Sequence, residues 1–171
     1  MAHQIEFTTA QNKATHKEKV LAWLEADFQR RESPDQHFWH NRDIISSAFD
    51  EEKAMTVFSD DSKVIGYMVW SIWSEDAIQI GIDIVEVDES YRRQGISKAM
   101  ITALTQHFPK VAVLTASVIT QSVDVFSAMG WQKIENPYRR YGELTKFHRT
   151  VKTGLAHTSE LPDGHVVAIF S

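Results

Sequence analysis

The order of elements along the chain predicts an α/β fold in a single domain that covers residues 1–171. Two helix-like segments come first, antiparallel strand hairpins follow them, and a strand–helix–strand–helix unit comes next. The length of 171 residues fits one domain with a sizeable core, and the chain carries no internal repeat, low-complexity tract or linker. The sequence therefore favours one domain over two.

Three segments make up the first 50 residues of this prediction. Residues 5–8 form a short strand, and Thr15-His16-Lys17-Glu18 has the pattern of a capping box that opens a helix. A second helix starts at Ser33, where Pro34 occupies the first helical position, and it should end near Phe49.

Three strands follow these helices. Residues 54–59 and 63–73 are rich in β-branched and aromatic side chains and flank a polar turn, so they should pair as a hairpin. Residues 77–87 form the next strand, in which isoleucines alternate with more polar residues. One face of that strand should therefore pack in the core while the other is more polar, with Gln79, Gly81 and Asp83 on it.

The next segments build the strand–helix–strand–helix unit. A helix follows Gly95 and is stopped by Pro109, and residues 111–118 form an apolar strand that is covered on both faces. A short helix spans residues 122–129, and Gly130 ends it in the left-handed conformation.

The tail gives weaker signals. Residues 131–135 are predicted to form a strand, as are residues 143–151 and 165–170. Residues 153–164 are polar and are predicted to form a loop.

Composition restricts the function classes. The chain has a net charge of −5 and no cysteine, which disfavours a nucleic-acid partner and excludes disulfides, thiolate zinc sites and a cysteine nucleophile. It has no apolar run long enough to span a membrane and no apolar segment of a secretory signal near its start. We therefore expect a cytoplasmic protein that binds neither nucleic acid nor membrane.

The most informative segment joins the strand at residues 77–87 to the helix after Gly95. It reads Val87-Asp88-Glu89-Ser90-Tyr91-Arg92-Arg93-Gln94-Gly95-Ile96-Ser97. A strand that enters a helix through such a turn directs free N–H groups and the positive end of the helix dipole at one spot, which suits a phosphate. Neither a P-loop nor a dinucleotide motif is present, so the remaining pattern is Arg/Gln-x-x-Gly-x-Gly/Ala, with Ser97 in place of the last glycine.

This segment resembles the acetyl-CoA-binding motif of the GNAT superfamily of N-acetyltransferases. The strand at residues 111–118, Val125-Phe126 and Gly130-Trp131 also lie where that family has its next strand, a short helix and a glycine–aromatic pair. The resemblance covers about residues 54–136. It implies a mixed, mostly antiparallel central sheet flanked by helices, with a V-shaped splay between the two central strands.

The resemblance also implies a function, which is transfer of an acetyl group from acetyl-CoA to a primary amine by direct attack in a ternary complex. The acceptor would be an amine of a small molecule or a protein, and no metal would be needed. Backbone groups of Val85 and Val87 would pair with the pantetheine arm, and the following turn would hold the pyrophosphate. The cofactor residues implied are Val85, Val87, Arg92, Arg93, Gln94, Gly95, Ile96, Ser97, Lys98 and Phe126.

The catalytic residues implied are Glu86, Asp83 and Tyr138. Many relatives have a proton-donating tyrosine at the position of Phe126, and phenylalanine has no proton to give. The alternative donors are Tyr138, Tyr141, Ser122, Ser127 and water. For the base, strict alternation places Asp83 on the polar face and Glu86 on the isoleucine face; a bulge, common in the family, would turn Glu86 to the cleft.

Other interpretations compete with this one. The missing tyrosine is compatible with a catalytically silent module that binds CoA or acyl-CoA, and the tail could instead dock a macromolecular acceptor or pair across a homodimer. His37, His40 and Asp43 lie at helical spacing that could hold a metal, although a helix with one polar face is the simpler interpretation.

Overall fold

The computed structural model describes residues 3–30, 37–73, 79–111, 113–118, 123–133, 145–150, 156–160 and 166–170. Its regular elements, in chain order, are β1 (His3–Phe7), α1 (Lys13–Arg30), α2 (His37–Asp50), β2 (Ala54–Ser59), β3 (Val64–Ile72), β4 (Gln79–Val87), a 3₁₀ turn (Glu89–Tyr91), α3 (Ile96–His107), β5 (Val113–Val118), α4 (Val123–Ala128), β6 (Gln132–Lys133), β7 (Thr145–Thr150), β8 (Ala156–Glu160) and β9 (Val166–Phe170).

Seven strands form one mixed sheet in the order β1-β2-β3-β4-β5-β7-β6, and β8 and β9 form a separate pair. Among the strand pairs whose register is described, β4 with β5 is parallel, and the other pairs are antiparallel. The predicted fold class is therefore confirmed. Strands β2, β3, β4 and β5 and helix α3 each lie within two residues of the predicted bounds.

Two predictions of local structure are wrong. Helix α1 starts at Lys13, and the carbonyl of Asn12 accepts a hydrogen bond from the amide of His16 at 2.9 Å, so Asn12 precedes the helix and Thr15 lies inside it. The Asn12 side chain also accepts from the Thr9 amide and donates to the Phe7 carbonyl, which fixes the start. Part of the predicted polar loop at 153–164 is strand β8, because it pairs with β9 in an antiparallel register.

The chain divides into two compact units. Unit 1 comprises Met1–Trp70 and Ile84–Ala103, and unit 2 comprises Ser71–Asp83 and Leu104–Ser171. Since these bounds fall inside β3 and β4, both strands contribute to both units.

The core of unit 1 lies between helices α1 and α2 and strands β2 and β3. Its apolar side chains recur at helical spacing in the helices, and in β3 the run Val64–Trp70 is buried throughout, as expected for a strand covered on both faces. Burial of each valine, leucine, isoleucine or phenylalanine side chain contributes about 1.5–3 kcal/mol. The cluster consists of Val20, Leu24, Ile45, Ala48, Phe49, Ala54, Phe58, Val64, Tyr67 and Val69.

A break in register between β2 and β3 shapes the same unit. Val57 pairs with Gly66 and Phe58 pairs with Val64, so Ile65 is the extra residue of a β-bulge. Gly66 also permits close packing on β4, because a Cβ at this position would lie 2.9 Å from the carbonyl oxygen of Glu86. The end of β4 is thereby held against the bulged part of β3.

In unit 2, β4 and β5 pair over Gln79–Ile82 and Val113–Ala116. Strand β5 is also paired with β7, and Val113 and Leu114 are at most 1% exposed, as predicted for a strand covered on both faces. Helix α4 ends at a glycine in the left-handed conformation, since Gly130 has a φ of +83°. This confirms the predicted helix terminator.

Candidate functional site

A strand–turn–helix junction in unit 1 forms the candidate anion site. Strand β4 ends at Val87, a single 3₁₀ turn follows, and α3 begins at Ile96. The intervening backbone enters the left-handed region twice, at Arg93 with φ +63° and at Gly95 with φ +77°. A residue other than glycine in this region is uncommon, and such residues occur often at ligand sites.

The amides of residues 93–98 are candidate donors for an anion. The carbonyl of Gly95 accepts from the Ala99 amide at 2.9 Å, so Gly95 caps α3 and the amides of Ile96, Ser97 and Lys98 are its first. Within the described part of the chain, no backbone carbonyl accepts from the amides of residues 93–98. These donors lie at the positive end of the helix dipole and can receive a phosphate. We call residues 92–98 the anion turn.

The space around the Cβ position of Gly95 is open. A Cβ built at Gly95 would have no atom within 4 Å, so the positive φ, and not packing, requires glycine here. Ile96 is only 2% exposed and anchors the helix start in the core, while the Arg93 and Lys98 side chains are exposed. With Arg92, which is also exposed, the turn has three cationic side chains that contact solvent.

Two polar side chains of the turn bond back to its backbone. The Arg92 Nε donates to the Val87 carbonyl at 3.2 Å, and the Gln94 Nε2 donates to the Ser90 carbonyl at 3.4 Å. Their guanidinium and amide groups therefore also stabilise the local conformation. Val85 and Val87 precede them on β4, are half-buried, and lie beyond the last residue pair of the β4–β5 register.

A carboxylate–phenol pair lies immediately before the turn. The Tyr67 hydroxyl on β3 donates to Glu86 Oε2 at 3.0 Å. Tyr67 is 1% exposed, and its burial, with the nearby Glu86 charge, raises its pKa well above the ordinary value of 10.0, so it stays a neutral donor at physiological pH. Glu86 is half-buried on the same side of β4 as Ile84, which packs against the core cluster; this is the face that strict alternation assigns to it.

Sequence reasoning did not identify Trp23, Tyr67 or Asp88. The Trp23 indole on α1 lies edge-on to the Tyr67 ring, with 6.1 Å between centroids, and its Nε1 donates to Asp88 Oδ2 at 3.4 Å. For Asp88 a local signal existed, since an aspartate side chain in a turn often accepts a hydrogen bond from the backbone amide two residues later, here that of Ser90. For Trp23 and Tyr67 no local signal existed, because their partners are distant in sequence.

Asp83, the other candidate base, lies in unit 2 in different surroundings. It is exposed, and its Oδ2 accepts from the Ser71 hydroxyl at 2.5 Å. The predicted polar face of β4 is partly covered, because the half-exposed Trp73 indole lies over Gly81, and a Cβ at this position would clash with the indole Nε1. The glycine therefore provides room for the tryptophan ring.

Phe126 lies in unit 2 on helix α4. It is 4% exposed and packs edge-to-face on Trp131, with ring centroids 5.1 Å apart, while the neighbouring Ser127 is exposed. Tyr138, Tyr141 and Ser122 lie outside the described residues. The side chains of His37 and His40 do too, and among the side chains that are described no group of three or more His, Asp or Glu could hold a metal ion.

Comparison with known proteins identifies the family of the chain. The family model described as "Acetyltransferase (GNAT) domain" matches residues 13–145. The chain belongs to the GNAT acetyltransferase family. It is therefore an acyltransferase, and the activity supported by this membership is acetyl transfer.

Solved structures have the same fold. An acetyltransferase of the GNAT family from Staphylococcus aureus Mu50 has a TM-score of 0.61 at 14% identity and covers 88% of this chain and 100% of its own. The PaiA N-acetyltransferase from Thermoplasma acidophilum, in complex with coenzyme A, has a TM-score of 0.63 at 14% identity, with 88% and 99% covered.

A third structure, N-acetylglutamate synthase from Neisseria gonorrhoeae with coenzyme A and N-acetyl-glutamate, has a TM-score of 0.59 at 11% identity, with 90% of this chain and 36% of that chain covered. These TM-scores, all above 0.5, establish the common fold. No curated protein sequence matches the chain.

Within the described residues, none of the helices is both long and apolar enough to cross a membrane.

Proposed function

We propose that this GNAT-family protein is an acetyl-CoA-dependent N-acetyltransferase that acts on a primary amine of a small molecule or a protein. The observation that carries the proposal is the anion turn, where the amides of residues 93–98 have no described backbone acceptor and the Cβ position of Gly95 has no atom within 4 Å. Two structural neighbours contain coenzyme A, which supports a CoA thioester as the ligand of this fold.

The residues of unit 1 fit this cofactor. Backbone amides from Arg93 to Lys98 would hold the pyrophosphate, with the exposed Arg93 and Lys98 side chains adding positive charge. Val85 and Val87, beyond the β4–β5 register, would offer backbone groups to the pantetheine arm as a neighbouring strand does. When bound, acetyl-CoA supplies the acetyl group as a thioester that a neutral amine attacks directly.

Glu86 is the proposed general base, which removes the proton from the amine. It is half-buried, adjacent in sequence to Val85 and Val87, and held in place by the Tyr67 hydroxyl at 3.0 Å. Its position next to these backbone groups supports the assignment. The alternative, Asp83, is exposed to solvent and bonded to Ser71, which favours a structural role.

For the leaving thiol, Tyr138 is the proposed proton donor on sequence grounds, because Phe126 has no acidic proton and packs against Trp131. Phe126 is also among the cofactor-binding residues that the family resemblance implies. The cysteine-free composition also supports a reducing compartment such as the cytoplasm.

A thiol-release assay tests this function. The wild-type protein is incubated with acetyl-CoA and, in turn, aliphatic amines, amino acids and a lysine-containing peptide. Release of the CoA thiol that requires one of these amines supports the proposal, and the quaternary trimethylammonium analogue of the same amine provides the matched control because it has no N–H to acetylate. If the protein binds CoA but none of the amines causes release of the CoA thiol, the result would contradict the proposal and favour a silent CoA-binding module.

A further inference from the structure

Asp88 connects three parts of unit 1 at the start of the junction. Its amide donates to the carbonyl of Ile65, the extra residue of the β3 bulge, at 2.8 Å. Its carbonyl accepts from the Tyr91 amide at 2.9 Å, and its Oδ1 accepts from the Ser90 amide at 2.9 Å. One residue therefore fixes the 3₁₀ turn to the bulged strand and satisfies two of its amides.

The Asp88 carboxylate is also held from the side of helix α1. The Trp23 Nε1 donates to Oδ2 at 3.4 Å, a long hydrogen bond, while Oδ1 accepts from Ser90. The Trp23 ring rests edge-on against the buried Tyr67 ring, which restricts its orientation. The indole N–H thus bonds to the second carboxylate oxygen, Oδ2, and favours the Asp88 rotamer in which Oδ1 caps the turn.

The charge of Asp88 is unexpected so close to an anion site. A carboxylate four residues before Arg92 repels a phosphate, and a neutral residue would avoid that repulsion. A capping carboxylate, in contrast, stabilises the turn that sets the direction of the following amides. The side chain of Asp88 would therefore have two opposing effects on anion binding: its charge would weaken it, and its hydrogen bonds would favour it.

We infer that Asp88 is a positioning residue for the cofactor, which holds the anion turn in its binding conformation, and that Trp23 orients its carboxylate. This inference rests on the proposed function, because it assumes that the pyrophosphate of CoA binds the anion turn. Asp88 acts through the backbone of Ser90 and Tyr91 and does not contact the reacting atoms.

The test compares Asp88→Ala, Asp88→Asn and Trp23→Phe by titration calorimetry with CoA. Asp88→Ala loses the cap, and we expect its Kd for CoA to rise about tenfold. Asp88→Asn keeps a capping oxygen and loses the charge, so its Kd should stay at or below the wild-type value. Trp23→Phe keeps the ring and loses the indole N–H, and its Kd should rise about two- to threefold.

Hydrogen exchange of the Ser90 amide, measured by NMR without cofactor, provides the second readout. The amide should exchange faster in Asp88→Ala than in the wild type and remain protected in Asp88→Asn. If Asp88→Ala does not fold, Trp23→Phe tests the inference by the same two readouts, since this variant keeps the Asp88 carboxylate. An unchanged Kd and unchanged Ser90 exchange in that variant would overturn the inference.

Equal tightening of CoA binding in Asp88→Ala and Asp88→Asn would also overturn the inference, since only the charge would then matter. Failure of the proposed function gives a different result: the wild type itself would not bind CoA. The two failures are therefore distinguishable in the same set of titrations.

Discussion

The two units contain the same pair of features in different surroundings. Each has a β4 carboxylate bonded to a hydroxyl, Glu86 with Tyr67 in unit 1 and Asp83 with Ser71 in unit 2. Each also has a glycine in the left-handed region, Gly95 and Gly130. Residue type alone therefore does not identify the site.

The surroundings differ in two respects. Gly95 opens a helix, where the first amides have no intrahelical acceptor, whereas Gly130 closes one, and there the amides of Gly130 and Trp131 donate to the carbonyls of Ser127 and Phe126. Glu86 is half-buried against a buried phenol, whereas Asp83 is exposed. Amides without an intrahelical acceptor follow Gly95 and a half-buried carboxylate precedes it, and the corresponding residues of unit 2 provide matched controls for both features.

The largest expected effect comes from the two carboxylates. Glu86→Gln should lower kcat by about 100-fold or more, because the amide cannot take the amine proton. Binding of CoA, measured by calorimetry, should change less than about threefold, since the glutamine keeps a similar volume. Steady-state thiol release with a reactive amine measures the rate.

Asp83→Asn is the matched control for this prediction, and its kcat should stay within about twofold of the wild-type value. A larger loss of kcat in Asp83→Asn than in Glu86→Gln would reverse the assignment of the base. Full activity of both variants would remove both carboxylates from the mechanism.

The two glycines give the next largest effect. Gly95→Ala and Gly130→Ala both place a Cβ in the left-handed region without a steric contact within 4 Å, so each should lower the free energy of unfolding by about 1–2 kcal/mol. Only Gly95→Ala should weaken CoA binding, by about tenfold, because it distorts the anion turn. Chemical denaturation measures the loss of stability, and calorimetry measures the loss of CoA affinity. An equal loss of CoA affinity in both variants would contradict the assignment of Gly95, rather than Gly130, to the CoA site.

The smallest effect concerns a buried histidine in unit 1. His16 is 5% exposed, and its burial lowers its pKa below the ordinary value of 6.5, although the Glu6 carboxylate, 3.3 Å from Nε2, opposes the shift. Between the folded and unfolded pKa values the unfolded chain binds more protons, so this contribution to stability is complete above about pH 7 and declines as the pH falls through 6.5.

His16→Gln has no titrating group and should therefore lose this part of the pH dependence. The difference in Tm between the two proteins should shift by a few degrees between about pH 7.5 and pH 5. A wild type that gains stability relative to His16→Gln on acidification would show that the Glu6 interaction outweighs burial.

The sequence predicted the parts of the fold and the site that depend on neighbouring residues. Gly130 was identifiable because a left-handed residue at a helix end favours glycine, and Gly95 was identifiable from the Arg/Gln-x-x-Gly-x-Gly/Ala pattern. Strands β2 and β3 were identifiable from their β-branched and aromatic runs. Local signals were misleading at Thr15, because helix α1 begins directly after Asn12, three residues before the predicted cap.

The parts that depend on distant residues were not predictable. Tyr67 and Glu86 are 19 residues apart in sequence, and Trp23 and Asp88 are 65 apart. Each pair is brought together by strand register and helix packing, which a single sequence does not specify. Strand β8 was missed for the same reason, since its polar sequence forms a strand by pairing with β9.

The most direct test of the anion turn compares CoA with pantetheine, which has the same thiol arm and no pyrophosphate. In calorimetric titrations of the wild-type protein, CoA should bind saturably and at least about 100-fold more tightly than pantetheine, and Gly95→Ala should reduce this difference. Equal affinity for the two ligands, or no binding of CoA at about 1 mM, would contradict the assignment of residues 92–98 as the pyrophosphate site.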